Sequence, residues 1–206
     1  MNHKSGISNG VNKDRIEILI GGIGGQGVVY SANLIARAGL IRHKFASSIA
    51  HYGPESRGSV TTSEVVISNP TTPSVPLNKG GIKGGCLDYP VVEAPDVFIA
   101  MHQKAYEECA VKHKSLPAYL IYDSTIVNIN SESRTQNSQV IAVPASQLAK
   151  DKLGNIMMAN IILTAAFAKI TGVITKDDLE RGLKEMVSAD DFVLNQSALE
   201  IGFTIK

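Results

Sequence analysis

Residues 16–27 read Ile-Glu-Ile-Leu-Ile-Gly-Gly-Ile-Gly-Gly-Gln-Gly. The apolar run predicts a buried strand, and the glycines after it predict a tight turn that opens a helix. Gly22, Gly24 and Gly27 fit the spacing G-x-G-x-x-G, which presents backbone N–H groups at a helix N-terminus. The positive end of the helix dipole also favours an anion there. The stretch therefore predicts an α/β fold and a phosphate-bearing partner.

Strand patterns and helix patterns alternate along the rest of the chain. The helix after the glycine turn is predicted to end near Arg42. Further strands are predicted at 45–49, 64–68, 96–101, 118–123 and 139–143. A helix over 156–171 is expected to end at Gly172, and Thr175 with Asp178 forms an approximate capping box for the next helix. We therefore expect an α/β fold, a three-layer Rossmann-like domain with a mainly parallel sheet and a helical C-terminal third.

Length and composition suit a single globular domain. The chain has 206 residues, of which 44% are apolar and 19% charged, which is ordinary for a globular protein. Residues 1–14 are polar and are predicted to be a flexible leader, not a signal peptide, so that 15–206 form one domain. No apolar stretch reaches the ~20 residues that cross a bilayer. We expect a soluble cytoplasmic protein without a membrane partner.

Charge and cysteine content exclude several classes of protein. The net charge is +1, with 20 basic and 19 acidic residues, whereas nucleic-acid binders usually carry a basic excess. Cys86 and Cys109 form no C-x-x-C pair, and one iron–sulfur cluster needs about four thiolates. No metal site and no nucleic-acid partner are therefore predicted. His51 has no obvious Ser or Cys nucleophile beside it, so no catalytic residue is assigned.

Two familiar ligands fit the glycine turn poorly. A dinucleotide site normally has an acidic residue at the end of the second strand, but residues 47–51 read Ser-Ser-Ile-Ala-His and the first acid is Glu55. A P-loop needs Gly-Lys-Ser/Thr, which is missing after Gln26. The amide of Gln26 can itself donate and accept hydrogen bonds at the mouth of the turn. The alternative is that the glycines only permit close packing of strand and helix.

A second polar loop follows the second strand. Residues 52–58 read Tyr-Gly-Pro-Glu-Ser-Arg-Gly. Arg57 is suited to bind a phosphate or carboxylate in a forked geometry, or to pair with Glu55 and shape the loop. Because ligands of open α/β sheets sit beyond the carboxyl ends of the strands, we expect the two glycine-bearing loops to face one another.

With both motifs together, the chain resembles the gamma subunit, or fused gamma domain, of 2-oxoacid:ferredoxin oxidoreductases. The resemblance extends over 16–199. It is carried by 22–27 and 52–58, with support from 88–90, 95–101, 122–124, 153–155 and Asn160. It implies a non-autonomous oxidoreductase subunit that supports oxidative decarboxylation of a 2-oxoacid, dependent on coenzyme A. Pyruvate, ketoisovalerate, 2-oxoglutarate and indolepyruvate all remain open as the oxoacid.

The resemblance also implies where the cofactors lie. This chain lacks the Gly-Asp-Gly…Asn signature of thiamine enzymes and the cysteines for a cluster. Thiamine diphosphate, Mg2+ and clusters of the 4Fe-4S type are thus expected on alpha and beta partner subunits, or on a ferredoxin-like delta subunit, with ferredoxin reached indirectly. No cofactor is expected on this chain alone. Within the complex it is expected on the coenzyme A side, and the candidate cofactor-binding residues are Gly22, Gly24, Gly25, Gln26, Gly27, Tyr52, Glu55 and Arg57.

Two other functions stay open at this stage. The chain could be a stand-alone regulatory module that binds a nucleotide or phosphate, or a purely structural assembly subunit. The segment 70–85 is longer than the resemblance leads us to expect. It is interpreted as a subunit interface, as a lid that brings Lys79 and Lys83 to a phosphate, or as a neutral insertion of the kind that surface loops tolerate.

Overall fold

The computed structural model describes residues 14–43, 45–53, 58–69, 91–112, 117–129 and 138–205. Four sequence predictions lie outside these ranges: the leader up to residue 13, the segment 70–85, and the placement of Glu55 and Arg57.

Six strands form one mixed sheet in the order β2-β3-β1-β4-β5-β6. They are β1 (Arg15–Ile23), β2 (Phe45–Tyr52), β3 (Val60–Ser68), β4 (Val97–Ala100), β5 (Tyr119–Asp123) and β6 (Gln139–Val143). Among them β3 alone runs in the opposite direction to the other five strands. Every residue of β4 and β5 is buried, as expected for strands covered on both faces. The predicted mainly parallel sheet is confirmed.

Helices cover both faces of the sheet unequally. They are α1 (Val28–Arg42), α2 (Gln103–Lys112), α3 (Ala145–Leu153), α4 (Ala159–Thr171), α5 (Lys176–Met186) and α6 (Ala189–Thr204). On one face α1 and α4 pack against the sheet, and α5 and α6 pack on the outer side of these two helices. On the other face α2 covers the sheet. Successive side chains of a strand point to opposite faces. Accordingly, Ile18 and Ile20 of β1 join the larger core, and Leu19 packs with Phe98 and Tyr106 in the smaller one.

The β2–β3 hairpin departs from the simple β1-α1-β2 unit that the sequence predicts. β3 returns antiparallel between β1 and β2, so Thr61 is the Cα partner of both Gly22 and Tyr52. β2 also continues three residues past the predicted end at Ile49, because His51 and Tyr52 keep their pairing with β3. These two residues therefore belong to a strand and not to the following loop.

The helix ends agree closely with the sequence prediction. Gly172 ends α4 in the left-handed conformation, and Thr175 and Asp178 form a reciprocal capping box at the start of α5. One difference is that a single 3-10 turn, Ile156–Met158, precedes α4, because the side chain of Asn155 accepts a hydrogen bond from the Met157 N–H. Within the described ranges, no helix is long and apolar enough to cross a membrane.

Candidate anion-binding site

The glycine turn joins β1 directly to the N-terminus of α1. The Gln26 N–H donates to the Ile23 carbonyl at 3.2 Å and closes the turn. Gly25 and Gly27 have φ angles of 94° and 78°, which glycine adopts without the cost that a Cβ adds. Gly27 precedes α1 without a side-chain cap, and the first turn of α1 contains no acidic residue. The first N–H groups of α1 and its dipole thus favour an anion.

Gln26 holds the turn in shape. Its Oε1 accepts a hydrogen bond from the Ile23 N–H at 2.9 Å, and its Nε2 donates to the Met101 carbonyl at 3.1 Å. The side chain therefore ties the end of β1 to the residue that follows β4. A carboxamide has two donor hydrogens and two lone pairs on oxygen, so one of each remains beyond these two bonds. The sequence predicted Gln26 as a ligand-binding group, and the structure gives it a shaping contact.

The glycines of the turn have different surroundings. A Cβ at Gly22 would lie 2.7 Å from Val28 Cγ2, and a Cβ at Gly27 would lie 2.0 Å from Asn160 Nδ2. By contrast, a Cβ at Gly24 would meet no atom within 4 Å, and both Gly24 and Gly25 are exposed. Gly22 and Gly27 are thus required for packing, whereas the exposed Gly24 and Gly25 leave open space for an external group.

A second helix N-terminus meets the glycine turn. Asn160, in the first turn of α4, lies with its Nδ2 against Gly27. Its backbone carbonyl also accepts from Ser31 Oγ of α1, at 3.5 Å. α4, like α1, has no acidic residue in its first turn. The start of α4, which continues the 3-10 turn 156–158, therefore lies beside the N-terminus of α1 at the carboxyl end of β1.

The second predicted loop begins at the same end of the sheet. Tyr52, which ends β2, is 71% exposed, and Gly53 N–H donates to the Val60 carbonyl to start the hairpin connection. Since Thr61 pairs with both Gly22 and Tyr52, the two glycine-bearing loops leave the sheet at the same level, as the sequence predicted. The contributions of Glu55 and Arg57 to this site stay predictions.

His51 has a partner in the sheet. Its Nε2 lies 3.5 Å from Oε1 of the buried Glu64, which also accepts the Val92 N–H at 2.9 Å. Among the described residues no serine or cysteine is hydrogen-bonded to the His51 ring. The His51 side chain is 49% exposed, so it contacts Glu64 at the surface of the protein and is not packed in the core.

A cleft of about 440 Å³ opens beside His51, between the β2–β3 hairpin and α2. Lys104, Glu108 and Lys112 line its α2 side, one helical turn apart, with Cys109 below them. Burial raises the pKa of the Cys109 thiol to about 11. The thiol is consequently protonated at neutral pH and lacks the thiolate that a nucleophile needs.

The site contains one residue whose role the sequence did not reveal. Asn160 supported the family resemblance, but it was not assigned to the site, because it lies 133 positions after Gly27 in the chain. The available signal was its place near the start of a predicted helix, close after Gly154 and Asn155. Only the packing of α4 on α1 shows which turn it contacts.

Comparison with known proteins agrees with this architecture. Residues 17–205 match the family model described as pyruvate ferredoxin/flavodoxin oxidoreductase. The 2-oxoglutarate synthase subunit KorC of Methanocaldococcus jannaschii is 26% identical over 194 residues, which cover 94% of this chain and 95% of that protein. The common gamma subunit of the pyruvate/ketoisovalerate oxidoreductases of Pyrococcus furiosus is 25% identical over 184 residues, or 85% and 88% of the two chains.

A solved structure shows the same fold over nearly the whole chain. The gamma subunit of keto/oxoacid ferredoxin oxidoreductase from Geobacter sulfurreducens superposes with a TM-score of 0.71 at 27% identity, covering 92% of this chain and 96% of that one. Together with the family match over 17–205, this places the glycine turn, the hairpin and the helical C-terminal third in one known subunit type. The chain belongs to the pyruvate ferredoxin/flavodoxin oxidoreductase family.

Proposed function

We propose that this chain is the gamma subunit of a 2-oxoacid:ferredoxin oxidoreductase and supports the step that uses coenzyme A. The observation that carries the proposal is the match to KorC, which covers 94% of this chain and 95% of that subunit. The match thus extends over nearly all of both chains. The relatives are subunits of oxidoreductase complexes, so this chain is a non-autonomous enzyme subunit.

The residues of the chain do not fit the redox cofactors of such a complex. Its two cysteines are too few for a 4Fe-4S cluster, which takes about four thiolates. Within the described residues, no group of three or more His, Cys, Asp or Glu side chains could hold a metal ion. We accordingly assign thiamine diphosphate, Mg2+ and the clusters to alpha and beta partner subunits, or to a ferredoxin-like delta subunit.

The glycine turn does fit the phosphate groups of coenzyme A. The first turn of α1 has no acidic side chain to repel an anion, and the exposed Gly24 leaves open space before it. Coenzyme A would supply the thiol that accepts the acyl group. The contribution of this chain would be to bind and orient the phosphates through the backbone N–H groups of residues 24, 25, 27 and 28, since that of Gln26 closes the turn. Tyr52, at the end of β2, and Arg57, in the connection after it, would complete the proposed site.

Reconstitution with the alpha and beta partner subunits tests the proposal. The complete complex should reduce a viologen dye or ferredoxin with a 2-oxoacid in a manner dependent on coenzyme A, and omission of this chain should abolish that activity. Full activity without the chain would contradict the proposed function. A stand-alone regulatory module is favoured instead if the chain binds a nucleotide tightly but associates with neither partner.

A Gly24→Val variant separates coenzyme A binding from subunit packing. Since a Cβ at Gly24 meets no atom of the described residues within 4 Å, the variant should fold normally, and its effect should come from a group outside them. We expect an intact complex with a KM for coenzyme A raised roughly tenfold or more. Ala110→Val, which adds bulk at an exposed position of α2, should change neither property. Loss of assembly with Gly24→Val would instead indicate a structural role for the turn.

A further inference from the structure

Asn160 is nearly buried where the N-termini of α1 and α4 meet. Its exposed fraction is 8%, and Nδ2 lies so close to Gly27 that a Cβ on that glycine would be 2.0 Å away. Gly27 is the residue that caps α1. The carboxamide of Asn160 is therefore directed at the same helix end that the exposed glycine turn leaves open.

The hydrogen bonds of Asn160 leave its amide nitrogen without an acceptor. Oδ1 accepts from the Ile161 N–H at 2.8 Å, which fixes the orientation of the amide. The backbone carbonyl accepts from Thr164 Oγ1 at 2.8 Å and from Ser31 Oγ at 3.5 Å. Nδ2 donates to no described residue. Nδ2 is not one of the fully buried unpartnered side-chain atoms of the described residues, which are Tyr30 Oη, Ser63 Oγ and Ser68 Oγ, so it is accessible to an acceptor from outside the chain.

The electrostatic setting selects an anionic acceptor. Neither α1 nor α4 has an acidic residue in its first turn, so neither helix supplies a carboxylate to its own positive end. The first turns of α5 and α6 differ, because they contain Asp177 with Asp178 and Asp190 with Asp191. Asn160 Nδ2 thus lies where the first turns of α1 and α4 contain no carboxylate that could take the place of a bound anion.

We propose that Asn160 Nδ2 donates a hydrogen bond directly to a phosphate group bound at the N-terminus of α1, and so determines the affinity of this site for phosphate-bearing ligands. The identity of that phosphate as part of coenzyme A rests on the proposed function. The ligand-binding role of Asn160 rests on the geometry of the site alone.

The variant Asn160→Asp separates ligand binding from packing. Aspartate has the same shape and keeps the acceptor for the Ile161 N–H, and a carboxylate in the first turn of α4 favours the helix. It removes the donor and opposes an anion. Thermal stability should consequently stay the same or increase, while calorimetry with the full chain shows binding of coenzyme A and of inorganic pyrophosphate weakened roughly tenfold or more. A merely structural residue would change stability and binding in the same direction.

Asn155→Asp is the matched control. It makes the same change of charge five positions earlier, and it preserves the acceptor that Asn155 supplies to the Met157 N–H. Its affinity for both probes should stay within roughly threefold of the original chain, as expected for a partly exposed charge that solvent screens. An equal loss of affinity in the two variants would show that net charge alone causes the effect, and it would overturn the proposed role of Asn160.

Side-chain amide resonances give a direct readout. In a chain labelled with 15N in its asparagines, the Nδ2 signal of Asn160 should shift on titration with pyrophosphate, while that of Asn155 should not. The inference is overturned if Asn160→Asp binds both probes like the original chain, if neither probe binds, or if the Asn160 signal stays fixed. Should pyrophosphate binding depend on Asn160 while reconstituted activity does not need the chain, the inference stands and the proposed function fails.

Discussion

The side-chain amide of Gln26 donates a hydrogen bond to the carbonyl of Met101 at 3.1 Å and so joins the turn after β1 to the residue after β4. The two residues are 75 positions apart in the chain. Because Oε1 of the same side chain accepts from the Ile23 N–H at 2.9 Å, a single amide fixes the turn from both sides. The turn thus has a defined shape before any ligand arrives.

Gln26→Ala should destabilise the chain by about 1–3 kcal/mol, because two partly buried backbone groups lose their partner. The free energy of unfolding in urea measures this change. Gln147→Ala is the control, since Gln147 is exposed and its Nε2 bonds only to Asp151 on the same helix; it should cost less than about 0.5 kcal/mol. Equal stability of the two variants would show that Gln26 does not hold the turn.

Alanine at Gly27 and alanine at Gly24 should have opposite consequences for folding. Gly27→Ala places a Cβ against Asn160 at a φ of 78°, and we expect a loss of more than about 2 kcal/mol. Gly24→Ala meets open space and should stay within about 0.5 kcal/mol of the original chain. Thermal unfolding of both variants checks the pair. A destabilised Gly24→Ala would contradict the open surroundings of this residue.

The capping box of α5 should make part of the stability dependent on pH. Burial alone would raise the pKa of Asp178, but hydrogen bonds from Thr175 and the nearby Arg42 guanidinium lower it on balance. A lowered folded pKa contributes stability above the ordinary aspartate pKa of about 3.9, and this stability is lost as the pH falls through the folded value.

Asp178→Asn should therefore cost about 0.5–2 kcal/mol at pH 7. The difference from the original chain should shrink as the pH falls below the ordinary aspartate range. Urea midpoints at several pH values between 3 and 7 measure this trend. Asp177→Asn, in the same turn but exposed, should show a much weaker dependence. A difference in stability between the variant and the original chain that stays constant down to acidic pH would contradict this role of Asp178.

Cys109 should resist alkylation while the chain is folded. Burial raises the pKa of its thiol to about 11, so the thiolate fraction near pH 8 is small. Peptide mapping after treatment with iodoacetamide should show little modification at Cys109 in native buffer and complete modification in urea. Its reaction rate should rise with pH toward the raised pKa. Rapid labelling of the folded chain near pH 8 would contradict the burial of this thiol.

Local chemistry made much of the fold predictable. Gly172 ends a helix and Thr175 with Asp178 starts another because such caps depend on a few adjacent residues, and both predictions are confirmed. The position of β3 was not predictable in this way. Its insertion between β1 and β2 depends on the pairing of Thr61 with two distant residues, which no local pattern encodes.

The same distinction holds for the site. The sequence predicted the glycine turn and the common end at which the two loops emerge, since both follow from strand direction. The contacts of Gln26 with Met101 and of Asn160 with Gly27 join residues far apart in the chain, so they became visible only with the fold. The roles of Glu55 and Arg57 stay predictions.

The antiparallel return of β3 fixes the distance between the strand ends from which the two loops leave the sheet. The end of β1 and the end of β2 flank Thr61 at the same level, and two strand spacings amount to roughly 10 Å. A ligand that contacted both strand ends would therefore have to span this distance. The hairpin thus sets a minimum length for any molecule that bridges the ends of β1 and β2.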